Sequence, residues 1–260
     1  MIEIEGITKT FARDNHVVQA VKEVYLSIQR GEFVTILGPS GCGKTTLLHM
    51  VGGFEEPTSG TITIEGQPVE GPGRDRGMVF QDATLFPWRT ALANIAWPME
   101  VEGISKGEAK SRAKELLAKV GLEKFENAYP GELSGGMRQR AALARTLAME
   151  PSVLLMDEPF GSLDAQTRED MQEELMRLWQ ASDLTVIFIT HDISEAIFLG
   201  DRVVVMGAAP GRILEDIQID LGRPRTAETR ENAKILEYRA QLWLLLKQAP
   251  ASNDAKEERK

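Results

Sequence analysis

The stretch GPSGCGKTT, Gly38 to Thr46, follows directly on the apolar run FVTIL and leads into TLLHMV, which can continue as a helix. A buried strand, a glycine-rich turn and a helix in that order constrain the chain more than any other stretch in it. Gly38, Gly43, Lys44 and Thr45 fit the spacing G-x-x-x-x-G-K-[ST]. The residue types suit a phosphate. Glycines let backbone N–H groups close around its oxygens, and the helix N-terminus adds the positive end of its dipole. Lys44 can neutralise β- and γ-phosphate charge, and Thr45 offers a hydroxyl to Mg2+. Cys42, inside the loop, either fills a tight position or is a thiol activated by the helix start.

A second constellation lies at Asp157 and Glu158, where SVLLMDEP ends a buried strand. Burying two acids without a task is costly, so a strand end that merely reaches solvent is the weaker explanation. Asp157 can hold Mg2+ and Glu158 can polarise an attacking water as a general base. His191 follows the strand LTVIFIT, on the side of an α/β sheet where ligands bind. It can donate to a γ-phosphate or serve structurally beside Asp192. Gln81 ends the apolar strand in GMVFQD and can reach Mg2+ or the water.

Composition narrows the field. A net charge of -9 argues against a chain whose main task is neutralising nucleic-acid phosphates. No run of about 18 apolar residues is present, and MIEIEGITKTF lacks the order of a secretory signal, so the chain is expected to stay in the cytoplasm. The first third alternates as strands do, in IEIEGI, VVQAVKEVYLSI and TITIEG. Residues 91 to 148 carry helical periodicity in SKGEAKSRAKELLAKVGL and MRQRAALARTLAME. SVLLMDEP, LTVIFITHD and RVVVMG then alternate with the helical TREDMQEELMRLWQ, the pattern of a parallel α/β sheet. A last amphipathic helix, ENAKILEYRAQLWLLLKQ, precedes a charged tail that is expected to fray.

LSGGMRQR, residues 133 to 140, opens a helix with a capping serine and two glycines that weaken helices. Ser134 is explained by capping; Gly135 and Gly136 are not. They make sense if a phosphate held elsewhere must approach the backbone closely.

The phosphate loop, VFQ, LSGGMRQR, LLMDEP, GSLD and THD stand in the order and spacing of the ATP-binding subunits of ABC transporters, and the chain resembles that family over residues 1 to about 225. The resemblance implies an α/β fold: a RecA-like P-loop NTPase core, an N-terminal antiparallel β part and a helical signature subdomain at about 88–148, with 226–260 as C-terminal helix and tail. It implies ATP and Mg2+ as cofactors. By the same resemblance Gly38, Pro39, Ser40, Gly41, Cys42, Gly43, Lys44, Thr45 and Thr46 are expected to bind nucleotide, joined by Ser134, Gly135, Gly136 and the D-loop Asp164. Phe11 looks like the aromatic that stacks on adenine, an ordinary buried strand aromatic being the alternative. Glu158 is the implied base, His191 the switch histidine and Gln81 the Q-loop glutamine, with Thr45, Gln81 and Asp157 at the metal.

GPGRDRGMVFQDATLFPWRT and DEPFGSLDAQTREDMQEELMRLW are similar to the nitrate, aliphatic sulfonate and taurine branch of bacterial importers, closest to the taurine type. That implies a head-to-tail homodimer sandwiching two ATP molecules. It also implies membrane permease subunits, a periplasmic or lipid-anchored solute-binding protein, and a peripheral place on the cytoplasmic face of the inner membrane. Phe86, Pro87 and Trp88 would line a groove for a permease helix, unless Phe86 and Trp88 pack inward. Met137 stands where the family usually has glutamine, and GSLD where alanine is common before Leu-Asp. The rival readings are a soluble ABC ATPase of DNA repair or translation, an importer ATPase for another solute, and a phosphate-loop kinase, in which LSGGMRQR would have no role.

Overall fold

The alternation at the start resolves into two long strands, β1 (Ile2–Arg13) and β2 (His16–Ile28), paired antiparallel from Ile2 opposite Ile28 onward. This is a computed structural model, and it describes residues 1–13, 16–208 and 210–248; the tail expected to fray lies outside them. Next come β3 (Phe33–Leu37), α1 (Lys44–Gly52), β4 (Ser59–Ile64) and β5 (Gln67–Pro68). Then follow β6 (Arg76–Val79), α2 (Ala91–Val101), α3 (Lys106–Lys119), α4 (Gly135–Leu147), β7 (Val153–Asp157) and α5 (Ala165–Gln180). The chain closes with β8 (Thr185–Thr190), α6 (Ile193–Leu199), β9 (Arg202–Gly207), β10 (Arg212–Gln218) and α7 (Ala233–Gln248).

These elements form two compact units, one of Met1–Gly73 with Thr185–Lys260 and one of Arg74–Leu184. In the first, β1 pairs antiparallel with both β2 and β4, and β4 with β5, the antiparallel part expected near the N-terminus. Beside it β3 lies parallel between β8 and β9, and β10 returns antiparallel on β9. β3 and β8 are buried at every position, which is why FVTIL and TVIFIT are continuous apolar runs. Ala196, Ile197, Val203, Val205, Ile235 and Leu242 pack α6, β9 and α7 together.

The second unit joins the parallel pair β6 and β7 to four helices. Ile95, Met99, Ala113, Leu117, Leu133, Ala141 and Ala144 fill its helical core. Side-chain caps start every one of these helices: Thr90 Oγ1 accepts from Ala93 N, Ser105 Oγ from Glu108 N, Ser134 Oγ from Met137 N and Asp164 Oδ1 from Thr167 N. Each contributes about 1 kcal/mol. Gly121, at φ +67°, follows the end of α3 in the left-handed conformation that stops helices.

One stabilising residue gives no sequence signal. Arg225 is 3% exposed and donates through one guanidinium nitrogen to the carbonyls of Ile197, Phe198 and Gly200 at 2.8, 3.1 and 2.7 Å. Those carbonyls end α6, where a cation is favoured by the helix dipole. Burial pushes the guanidinium down to about 10, which leaves it charged at neutral pH. Arg225→Leu strands the carbonyls in an apolar surround and is expected to cost about 3 kcal/mol. Thermal unfolding followed by circular dichroism should show a Tm roughly 8 °C lower; an unchanged Tm would refute the capping role.

Candidate functional site

In the first unit, parallel register places the phosphate loop and the histidine at one end of neighbouring strands. Leu37, the last residue of β3, lies opposite Thr190 of β8 and Val205 of β9. Gly38 and His191 therefore both leave the sheet at its carboxyl edge, where ligands bind in such sheets. His191 is exposed there. Its neighbour Asp192 is engaged in starting α6, accepting from Ser194 N at 2.7 Å and Glu195 N at 3.0 Å.

The loop itself is closely built. Gly41 and Gly43 have φ of +77° and +92°, left-handed values that glycine adopts without strain. A Cβ on Gly38 would come within 2.6 Å of the Met206 carbonyl oxygen and 2.8 Å of Cys42 Sγ. Cys42 is fully buried, as a residue filling a tight position would be. Gly211 presses on the loop from behind: a Cβ there would lie 2.1 Å from the Cys42 carbonyl oxygen. Lys44 is 4% exposed, and its ammonium donates to the carbonyls of Gly38 at 2.8 Å and Pro39 at 3.0 Å. Ser40 and Thr45 are exposed, and Thr46 is half-buried. An ammonium and a row of loop N–H groups at a helix start can hold phosphate oxygens.

Phe11 on β1 sits opposite Val18 of β2. Its ring is 41% exposed, with the Lys9 ammonium 5.0 Å from its centroid, and Val17 and Val18 are exposed beside it. The buried-aromatic alternative is therefore incorrect: Phe11 stands at the surface, with the Lys9 ammonium over one face of its ring.

In the second unit, Val79 of β6 lies opposite Met156 of β7. Gln81, Asp157 and Glu158 follow those residues by one or two positions and so emerge at the same end of the pair. The Gln81 amide nitrogen is 3.9 Å from where a Cβ on Gly161 would stand. Glu158 has φ +43°, a left-handed value for a residue with a side chain. Such backbone costs on the order of 1–3 kcal/mol and persists where the surroundings fix it, most often at functional sites.

The signature has the predicted form, with Ser134 as cap and Gly135 as first helical residue. The two glycines differ, however. Gly136 is buried, and a Cβ on it would meet the Thr167 methyl at 2.5 Å, so its own chain already requires glycine there. Gly135 would make only an ordinary contact with Leu163 at 3.4 Å, so packing within its own chain does not require glycine there. Met137 packs partly buried against the helical core. Asp164 caps α5; the Thr167 hydroxyl and main-chain N–H groups hold its carboxyl below the usual carboxylate range.

Phe86, Pro87 and Trp88 turn out to be a mixed case. Phe86 is half-buried, its ring 4.8 Å from Trp97 edge-on and 5.6 Å from Trp88, while Trp88 is 70% exposed. Sequence reasoning missed what holds this segment. Asn94, fully buried on α2, accepts from Phe86 N at 2.8 Å and donates to the carbonyls of Phe86, Arg89 and Thr90 at 3.0–3.1 Å. Gln139 and Arg145 on α4 were missed as well. A polar residue inside an amphipathic helix gives no sign of facing inward, and only the burial of Asn94 among apolar neighbours marks it.

Fold and site together define a P-loop nucleotide-binding protein with an inserted helical segment bearing a second helix start suited to an anion. The ABC transporter family model matches residues 21–161, and the chain belongs to that family; it binds and hydrolyses ATP. It is 50% identical to an uncharacterized ABC transporter ATP-binding protein of Methanocaldococcus jannaschii, over 95% of this chain and 91% of the relative. Identity is 48% with the nitrate import ATP-binding protein NrtD of Synechocystis (89% and 86% covered) and 46% with the taurine import ATP-binding protein TauB of Pseudomonas syringae pv. tomato (87% and 86%). A solved ATP-binding cassette in a dimeric post-hydrolysis state, bound to ADP and Pi, matches with a TM-score of 0.76 at 35% identity, over 85% of this chain and all of that one. No described helix is long and apolar enough to cross a membrane.

Proposed function

We propose that this chain energises the uptake of a small anion, such as nitrate, taurine or an alkanesulfonate, through a separate permease at the cytoplasmic face of the cell membrane. The solute class rests on the similarity to nitrate and taurine import subunits. The importer role rests on the same similarity, and the permease contact on Trp88, a large aromatic 70% exposed on a segment braced from beneath by Asn94. An exposed aromatic on an ordered loop suits a helix-in-groove contact with a permease. A periplasmic or lipid-anchored binding protein would deliver the solute. The segment at about 88–148 acts as the signature subdomain, residues 1–225 as the nucleotide-binding domain, and 226–260 as an appended helix and tail.

Two chains, head to tail, hold two ATP molecules, each between the phosphate loop of one chain and Ser134, Gly135 and Gly136 of the other. Phe11 stacks on adenine, and residues 38–46 take the phosphates, with Lys44 leaving the loop carbonyls for the β- and γ-oxygens. Thr45, Asp157 and the Gln81 amide supply hard oxygen donors of the kind Mg2+ takes alongside phosphate, so the residues fit that ion. When bound there, the ion would supply charge neutralisation on the phosphates. Glu158 accepts a proton from the water that attacks the γ-phosphorus while the bond from that phosphorus to the β,γ-bridging oxygen breaks and ADP leaves; Gln81 helps orient that water, His191 donates to the γ-phosphate, and Asp164 orders the facing loop. ATP favours the closed pair because it binds that form more tightly, and hydrolysis reopens it.

Trp88→Asp tests the permease contact. The residue is exposed, so the fold should tolerate it, and affinity for the detergent-solubilised permease is expected to fall about 30-fold, as for an aromatic anchor at an interface. Undiminished co-purification would place the contact elsewhere.

A further inference from the structure

Helix α4 is engaged twice along its length. At its start stand Ser134 and Gly135, the residues assigned above to the nucleotide of the second chain. One turn further, Gln139 is 4% exposed and donates from Nε2 to the Gln81 carbonyl at 2.6 Å. Nearly two turns beyond that, the Arg145 guanidinium donates to the Thr84 carbonyl at 2.8 Å and to its hydroxyl at 3.0 Å, and burial lowers its pKa. One helix thus straps the segment 81–84 from both ends. Thr84 lies at φ +32°, in the left-handed region, so that segment is held in a conformation it would not favour alone.

The amide of Gln139 shows that the contact is more than packing. Its Oε1 is buried and has no hydrogen-bond partner among the described residues. A buried acceptor left unsatisfied is destabilising, and an apolar side chain of the same length would fill the space without that cost. What an apolar residue could not do is fix the Gln81 carbonyl.

We propose that Gln139, seconded by Arg145, is a positioning residue that links the two ATP sites of the dimer: closure of the partner's nucleotide onto Ser134 is carried by α4 to Gln81 of the same chain. The hydrogen-bonded helix from Ser134 to Gln139 spans only about 8 Å and transmits displacement as a rigid body. The proposal rests on the two-chain reading above. It makes hydrolysis cooperative in ATP, since each chain sets its Gln81 only when the partner's site is filled.

Gln139→Met keeps length and removes the donor. In the full chain the Hill coefficient of ATPase activity against ATP should fall from near 2 toward about 1. Turnover should drop roughly three- to thirty-fold, while binding of a fluorescent ATP analogue to the single chain changes less than about twofold. A packing role alone would lower Tm and leave the Hill coefficient in place. Should Gln139→Met fail to fold, Arg145→Lys, which keeps the charge but not the paired donors, is read the same way. Parent-like cooperativity and turnover in the folded variant overturn the inference, as does a parent chain whose hydrolysis is non-cooperative. The two-chain reading falls with it only if Glu158→Gln also fails to dimerise on ATP.

Discussion

Glu158→Gln should bind ATP as tightly as the parent, hydrolyse it at least about 100-fold more slowly, and accumulate as an ATP-bound dimer. The size of the effect follows from the role: a positioned general base contributes roughly 10²–10⁴-fold, and 100-fold corresponds to about 2.7 kcal/mol of transition-state stabilisation. Glutamine matches glutamate in size and can keep the φ of +43° that the position imposes, so the backbone at the end of β7 should be undisturbed. The carboxylate alone is lost. Turnover is measured as phosphate release and dimerisation by size exclusion with ATP. A variant that hydrolyses at the parental rate would remove Glu158 from its role.

Ser134→Arg tests the other half of the composite site, and its effect should be as large. The substitution sets a long cation where a neighbouring chain's γ-phosphate must meet the start of α4. Dimerisation on ATP is expected to fail and turnover to fall at least about 100-fold, with ATP affinity of the single chain within about twofold of the parent. Losing the cap also costs α4 about 1 kcal/mol, so Ser134→Ala, which loses the cap without the bulk, gives the baseline. If Ser134→Arg still dimerises with ATP and hydrolyses it, the intersubunit site is wrong. The geometry sharpens the question, because Gly136 must be glycine for Thr167 of its own chain in any case, whereas Gly135 carries no such internal constraint.

What could be read from the sequence was what depends on order and local chemistry. FVTIL before GPSGCGKTT announced a buried strand feeding a phosphate loop, and β3 and α1 stand there. Ser134 announced a cap, and it caps. The parallel strands were legible because burial on both faces leaves no room for alternation. The unread features depend on contacts between distant residues. Nothing in LANIAW says that Asn94 turns inward to bond three carbonyls and an N–H. Nothing in RPRT says that Arg225 reaches back to the end of α6. The second demand on Gly136 was hidden, because a clash with a threonine methyl 31 positions later leaves no local trace. Cys42 invited a chemical role from its place in the loop, while its burial is what packing in a tight position predicts.

Asn94 also bears on the thermodynamics of assembly. With four hydrogen bonds drawn from one buried amide, the backbone of residues 86–90 has already lost its freedom before any partner arrives. A docking surface ordered in advance gives up little entropy on contact, and each freely moving side chain spared that loss saves on the order of 1 kcal/mol. The permease contact proposed for this loop would then be lock-and-key in character, with a heat-capacity change that reflects apolar burial at Trp88 and not the folding of a segment.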